Sequence, residues 1–213
     1  MIKALRTLAA IENGTLNAAA LQTQVAGSQA RKDEISQLLA VRSLHARIAA
    51  SRTAMDALAG SAAAWAEIAA HRYFSTFIAE CVESVNAKMA IYNSDTALNA
   101  IKASAAAMAA MRAASRFSIV TTTANGTNSV SLGIAGTANI LLGVSHADAT
   151  ARNYTIATLR SGSAISATVG TLASNNAAAK DYDIAVPITS AYSFSSVAGN
   201  TSTSYFGVLR CDI

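Results

Sequence analysis

From Val41 onward the chain repeats itself in blocks of ten residues, and no other feature restricts its fold so tightly. Written in tens it runs VRSLHARIAA, SRTAMDALAG, SAAAWAEIAA, HRYFSTFIAE and CVESVNAKMA; Ile91 to Asn93 interrupt, and SDTALNAIKA and SAAAMAAMRA follow. Setting residues 51–72 against 94–115 gives ten identities in 22 positions. The unit is Ser-x-x-Ala-[Met/Leu/Trp]-x-x-[Ile/Leu/Met]-x-Ala. Abundant Ala produces some of that identity, but the other places recur as well: Ser51, Ser61, Ser94 and Ser104 in the first, Met55, Trp65, Leu98 and Met108 in the fifth, Leu58, Ile68, Ile101 and Met111 in the eighth. Recurrence at the bulky places marks a structural repeat rather than biased composition.

Ten residues suit a continuous helix badly. At about 100° per residue an apolar stripe drifts backwards by about 80° per decad, against about 20° per heptad in a coiled coil. Each decad is therefore expected to be a short helix of about two turns, opened by Ser or Asp as a cap and closed by a small residue. Gly60 before Ser61 fits, with Gly at the C′ position and Ser capping the next helix. Helices this short cannot stand alone, because nucleation is costly, so they must stack on one another or on copies of the chain. Ala at the fourth and tenth places then admits close approach, while Met55, Leu58, Trp65, Ile68, Leu98, Ile101, Met108 and Met111 fill the gaps. Tyr73, Phe74, Phe77 and Ile78 mark a bulkier middle unit.

Residues 1–40 read as a helical module ahead of the repeat. Ala4, Leu5, Leu8 and Ile11 share one helical face, Asn13-Gly14 ends that helix, and Thr15 is placed to cap the next. Leu16, Ala19, Ala20 and Leu21 continue an apolar stripe. Ile35, Leu38, Leu39 and Arg42, following Asp33 and Glu34, give a third helix with acid at its start and Arg at its end, which suits the helix dipole.

Past Arg116 the pattern alternates instead. Phe117–Thr123, Ser129–Ile134, Asn139–His146, Asn153–Leu159, Ile165–Leu172, Tyr182–Ile188, Ala191–Val197 and Tyr205–Cys211 read as strands, separated by turn signals at Asn125-Gly126, Ser161-Gly162, Asn175-Asn176 and Gly199-Asn200. Eight short strands predict an all-β sandwich or barrel over 117–213, with Pro187 on an edge strand. The expected fold class is thus α+β in two segments: a helical module over 1–40 and a decapeptide-repeat shaft over 41–116, then a C-terminal β-sandwich.

Composition divides at the same place. Residues 1–116 hold 34 Ala, eight acids and twelve Lys and Arg, whereas residues 117–213 hold 27 Ser and Thr, no Glu, and four charges of each sign. The net charge of +4 therefore lies wholly in the first part. Its cations stand singly except for Arg31 and Lys32, while nucleic-acid binding calls for a clustered patch, so no nucleic-acid partner is expected. The most apolar run, Ala103–Met111, is flanked by Lys102 and Arg112 and falls short of the roughly 18 residues a membrane span needs. Met1–Ala10 lacks the long apolar run and cleavage site of a secretory signal.

Candidate chemistry is sparse. His146 and Asp148 could ligate a metal, but two ligands fall short of three or four, and an ordinary turn is the plainer reading. Asp181 and Asp183 flank Tyr182 on one strand face, about 6 to 7 Å apart, a spacing that glycoside hydrolysis can use; a solvated strand start is the default reading. His45 and His71, in fifth and first places, are expected at unit boundaries. No GxSxG, HExxH, Walker loop or supported GxGxxG occurs, so neither enzyme activity nor a cofactor is expected. Tyr154, Tyr182, Tyr192 and Tyr205 among Ser, Thr and Asn suit sugar or protein recognition and equally a neutral solvated surface. Cys81 and Cys211, without CxxC spacing, read as free thiols of a reducing cytoplasm.

The decads SRTAMDALAG, SDTALNAIKA and SAAAMAAMRA resemble those of tailed-bacteriophage virion proteins with Ser-Thr-Ala-Met type decapeptide repeats. The likeness covers about residues 41–115, and the opening LRTLAAIENGTLNAAALQT looks like the leading segment of such proteins. The chain departs from the pattern at HRYFSTFIAECVESVNAKMA. The resemblance implies a structural, fibre-like or appendage-like role in a virion assembled in the bacterial cytoplasm, and no enzyme activity. It implies self-association as a homotrimer, docking to other virion proteins through residues 1–40, and presentation of residues 117–213 to a host glycan or protein. A collar or capsid decoration protein, whose β domain binds other virion subunits, is the alternative. In a finished particle Cys211 is a candidate for an interchain disulfide.

Overall fold

A computed structural model describes residues 1–124, 127–131, 138–146, 152–160, 163–172, 182–188, 191–196 and 202–212. The chain forms two compact units, Met1–Ser115 and Arg116–Ile213. The first is helical and the second is built of antiparallel strands. The expected mixture of helix and sheet is what the chain adopts, with its break within two residues of the expected one.

The helical unit holds α1 (Ile2–Glu12), α2 (Ala18–Gly27), α3 (Gln29–Ala40), a single tight turn at Arg42–Leu44, α4 (His45–Ala50), α5 (Arg52–Ala59), α6 (Ala62–Ala70), α7 (Phe74–Cys81), α8 (Val85–Tyr92), α9 (Asp95–Lys102) and α10 (Ala105–Arg112). Five of the short helices begin in one way. The hydroxyls of Ser51, Ser61, Ser84, Ser94 and Ser104 accept from the backbone N–H of Ala54, Ala64, Ala87, Ala97 and Ala107. Each satisfies a donor that a helix start leaves orphaned. The capped Ala is the fourth-place residue, wholly buried in every case, so that place is fixed by the cap and by close packing together.

Ser84 was not read as a first-place residue, and its cap corrects the position of the interruption. Counted from Ser84, Ser94 and Ser104, the register runs back to Phe74, with Ile78 and Cys81 in fifth and eighth places, both buried. The three extra residues are therefore His71–Tyr73, not Ile91–Asn93. Ile91 becomes an ordinary eighth-place residue, 1% exposed.

Helices stack on those three places earlier: α7 on α4, α8 on α5, α9 on α6, and α10 on α7. The chain thus completes one turn of the stack every three short helices. Successive turns are joined by the capping serines, which also donate. Ser84 Oγ donates to Ala49 O at 2.6 Å and Ser94 Oγ to Ala59 O at 2.5 Å, each 35 residues back. Those carbonyls belong to the last turns of α4 and α5, where a helix leaves acceptors unpaired. Asn86 Nδ2 donates to Ala50 O at 2.7 Å beside them.

Residues 1–40, read as a helical module, are continuous with the decads in their packing. α1 packs on α3 and α5, α2 on α5 and α6, and α3 on α6, so residues 1–40 share one compact unit with the decads. They cover the first turn, which has no earlier turn to stack on. Gln22 Oε1 even supplies an acceptor there, to Ala63 N at 2.8 Å and Ser61 Oγ at 3.3 Å.

Local details differ from expectation for identifiable reasons. Leu5 is exposed, and Thr7 takes the buried place because its hydroxyl donates to Glu34 Oε2 at 2.6 Å. Asn17, not Thr15, caps α2, and Ala19 faces solvent. Ser28 caps α3, which leaves Asp33 and Glu34 in the helix interior rather than at its start. Gly14 has φ +79°, where a side chain is strained. Gly60 is not left-handed: its φ is −81° and it is needed for space, since a Cβ there would stand 2.8 Å from Asp56 O and 3.0 Å from Ala18 Cβ.

The second unit holds β1 (Phe117–Ala124), β2 (Thr127–Ser131), β3 (Asn139–His146), β4 (Arg152–Arg160), β5 (Ser163–Leu172), β6 (Tyr182–Ile188), β7 (Ala191–Ser196) and β8 (Ser202–Arg210). They form two four-stranded antiparallel sheets, in orders β1-β8-β3-β6 and β2-β7-β4-β5. Pro187 lies on β6, an edge strand of the first sheet, the kind of strand that tolerates a residue without a backbone N–H. A shift of register between Leu141 and Gly143 interrupts β3, and Ile140, Leu141, Leu142 and Val144 are all buried. The four expected turn signals lie outside the described residues.

Candidate functional site

Met55, Leu58, Trp65, Ile68, Leu98, Ile101, Met108 and Met111, the residues expected to fill the repeat, are all 2% exposed or less. Reading down the fifth places also shows what the consensus concealed. His45 occupies that place in α4 and Lys88 in α8, and both are buried. His45 is therefore a core residue, not the boundary residue expected. Its Nε2 lies 2.8 Å from Leu39 O; a carbonyl only accepts, so the proton sits on Nε2. The ring meets Phe77 edge-on at 5.5 Å, and Trp65 lies 6.4 Å from the other partner of that cluster, the same Phe77. Trp65 Nε1 and His45 Nδ1 are buried without a hydrogen-bond partner among the described residues.

His71 does sit at a boundary, ending α6 and opening the inserted corner. Its Nδ1 accepts from Tyr73 N at 3.2 Å, and the Arg72 and Arg42 guanidiniums lie 4.7 and 5.9 Å from the centre of the Tyr73 ring. Partial burial, then Arg72 and His45, lower the His71 pKa from its ordinary value.

An open cleft of about 410 Å³ is formed by α1, α2 and α3. Lys3, Arg6, Thr7, Ala10, Thr15, Leu16, Gln24, Arg31 and Glu34 line it. Arg31 is fixed in its wall by Thr7 and by Glu34 at 2.6 Å. Lys3 and Arg6, one helical turn apart, form no ion pair among the described residues. Sequence reasoning missed this cleft because its residues come from three helices whose mutual packing no spacing encodes.

Asp148 and Asp181 lie outside the described residues, as do the side chains of His146 and Asp183. Among the described residues no three His, Cys, Asp or Glu side chains converge as a metal site, and no helix is long and apolar enough to cross a membrane. Cys81 and Cys211 are free and buried. Cys211 Sγ points to Leu209 O at 3.7 Å within its own unit, so the expected interchain disulfide does not fit: a sulfur with no exposure is not presented to a second chain. Burial, with a smaller contribution from Glu80, pushes the Cys81 thiol pKa well up. No protein-family model matches the chain, and no curated protein matches it.

Proposed function

We propose that the protein is a structural component of a bacteriophage virion: a homotrimeric fibre, spike or whisker attached to neck, tail or capsid through its N-terminal helices. The observation that carries this reading is the stack of short helices in which two of the capping serines, Ser84 and Ser94, also bond to the turn before them. Such a stack grows in one dimension by adding like units, which suits a spacer better than a pocketed catalyst. The decads form the shaft, and the two sheets pack face to face as a sandwich carried outward. The low charge of residues 117–213 suits surfaces shared between chains or offered to a neutral glycan. The role is structural rather than enzymatic. A collar or capsid decoration protein is the second reading, favoured by the same low charge if the sheets meet other virion subunits.

Cryo-electron microscopy of intact particles, with antibody labelling of residues 117–213, tests this reading. Three copies at each attachment point, with the label distal, are expected. Absence of the protein from purified particles refutes it, and cross-linking that yields only monomer or dimer refutes the trimer. A label lying flat against other subunits selects the collar or decoration reading.

A further inference from the structure

We propose that the cleft between α1, α2 and α3 is the docking site for an acidic segment of another protein, one that also carries an aliphatic side chain. This deepens the reading of the N-terminal helices as the attachment end and names the chemistry of what they attach to.

Charge supplies the first argument. Four other cations of the helical unit are held by carboxylates: Arg31 by Glu34, Lys32 by Glu67, Arg47 by Glu12 and Arg52 by Asp56. Lys3 and Arg6 have none among the described residues, yet both line the cleft. Its one carboxylate, Glu34, is already engaged by Arg31 and Thr7. The cleft therefore presents two uncompensated cations beside the amide of Gln24, a set that recognises carboxylates.

Apolar exposure supplies the second. Among the described residues five large hydrophobic side chains are exposed, and Met1, Ile2 and Leu5 account for three of them. Ile2, at 70%, and Leu5, at 40%, stand one residue before Lys3 and Arg6, so an apolar stripe runs along the basic one. A nucleic acid would use the cations and leave that stripe wet, and two cations make a poor phosphate patch. A second copy of this helical unit has few carboxylates to offer: Glu12, Asp33, Glu34, Asp56, Glu67 and Glu83 are held by internal partners.

The test is fluorescence anisotropy on the full chain. The probes are a labelled peptide of Glu and Leu, its Gln-for-Glu counterpart, and a single-stranded oligodeoxynucleotide. The Glu-Leu peptide is expected to bind most tightly, weakening with salt. The Lys3→Glu/Arg6→Glu variant should bind it at least about tenfold more weakly, a change of about 1.4 kcal/mol. The charge-matched Lys102→Glu/Arg116→Glu variant should stay within about twofold, and circular dichroism should show both variants folded. The proposal is overturned if the Glu-Leu peptide does not bind, if both variants lose binding equally, or if the oligonucleotide binds more tightly. A dimer in sedimentation that is lost in Lys3→Glu/Arg6→Glu overturns it in favour of self-association. Chains attached to particles through residues 1–40 but blind to the peptide would sink the cleft and spare the attachment. Peptide binding by a protein absent from particles would do the reverse.

Discussion

Replacing the capping serines one at a time by alanine separates the two jobs a single hydroxyl performs. Ser51 and Ser104 cap their helices and bond to no earlier turn among the described residues. Their loss should cost about 1 kcal/mol each, the usual value of an N-cap. Ser84 and Ser94 cap as well, but also donate to Ala49 O and Ala59 O. Those carbonyls belong to residues 1% and 2% exposed, so removing the donor adds about 1 to 3 kcal/mol for a buried acceptor left unmet. Ser84→Ala and Ser94→Ala should therefore cost about 2 to 4 kcal/mol. Urea unfolding of the full chain followed by helical circular dichroism measures the difference, and about 4 °C of Tm per kcal/mol is expected for a unit of this size. Ser94→Asp sharpens the comparison, since its carboxylate still caps Ala97 N–H but has no proton for Ala59 O. Should all four alanine variants cost the same, or Ser94→Asp match wild type, the claim that serines tie one turn to the next is wrong.

Three further outcomes are expected. Trp65→Ala should cost about 3 to 5 kcal/mol in the same unfolding assay, whereas Trp65→Phe should stay under about 1.5 kcal/mol, because the indole N–H has no partner to lose. Gly60→Ala should destabilise by at least as much as Gly14→Ala, about 1 kcal/mol, although only Gly14 has a positive φ; a neutral Gly60→Ala would mean that α2 yields freely to a methyl group. In the folded chain the Cys81 thiol has its pKa raised by burial, so only the unfolded chain ionises it as pH climbs past about 8.5. The stability difference between wild type and Cys81→Val should be flat below that pH and then fall by up to about 1.4 kcal/mol per unit, until the folded thiol itself ionises; a flat difference to pH 10.5 would show Cys81 to be open to solvent.

What could be read in advance was whatever the chain states locally. The period of ten, too awkward for a long helix, gave the short helices. The Ser-x-x-Ala spacing gave their caps, and alternation past Arg116 gave strands at nearly the observed places, with β3 and β6 matching end for end. What could not be read was which helix lies on which. The three-helix turn depends on corner angles that no pattern of residue types records. The insertion is misplaced by the Ser-Ala-Met places: with Lys88 in the fifth place, residues 84–93 depart from the consensus, although Ser84, Ala87 and Ile91 are all in register. The cleft was invisible for the same reason, being assembled from α1, α2 and α3 after they pack. Cys211 differs in another way: its burial, directly after β8, is set by tertiary packing that no local pattern records.

The unlike fifth-place residues have one more consequence. A stack of identical decads has many nearly equivalent ways to fold, since slipping one turn by a helix would renew the same caps and the same alanine contacts. His45, Met55, Trp65, Lys88, Leu98 and Met108 differ in volume and polarity, and His71–Tyr73 add a corner that occurs once among the described residues. A slipped chain would set Lys88 or Trp65 in a space shaped for another side chain and strand the corner within a turn. The irregularities act as addresses, giving the repetitive sequence a single native register in place of a ladder of misfolded near-equivalents.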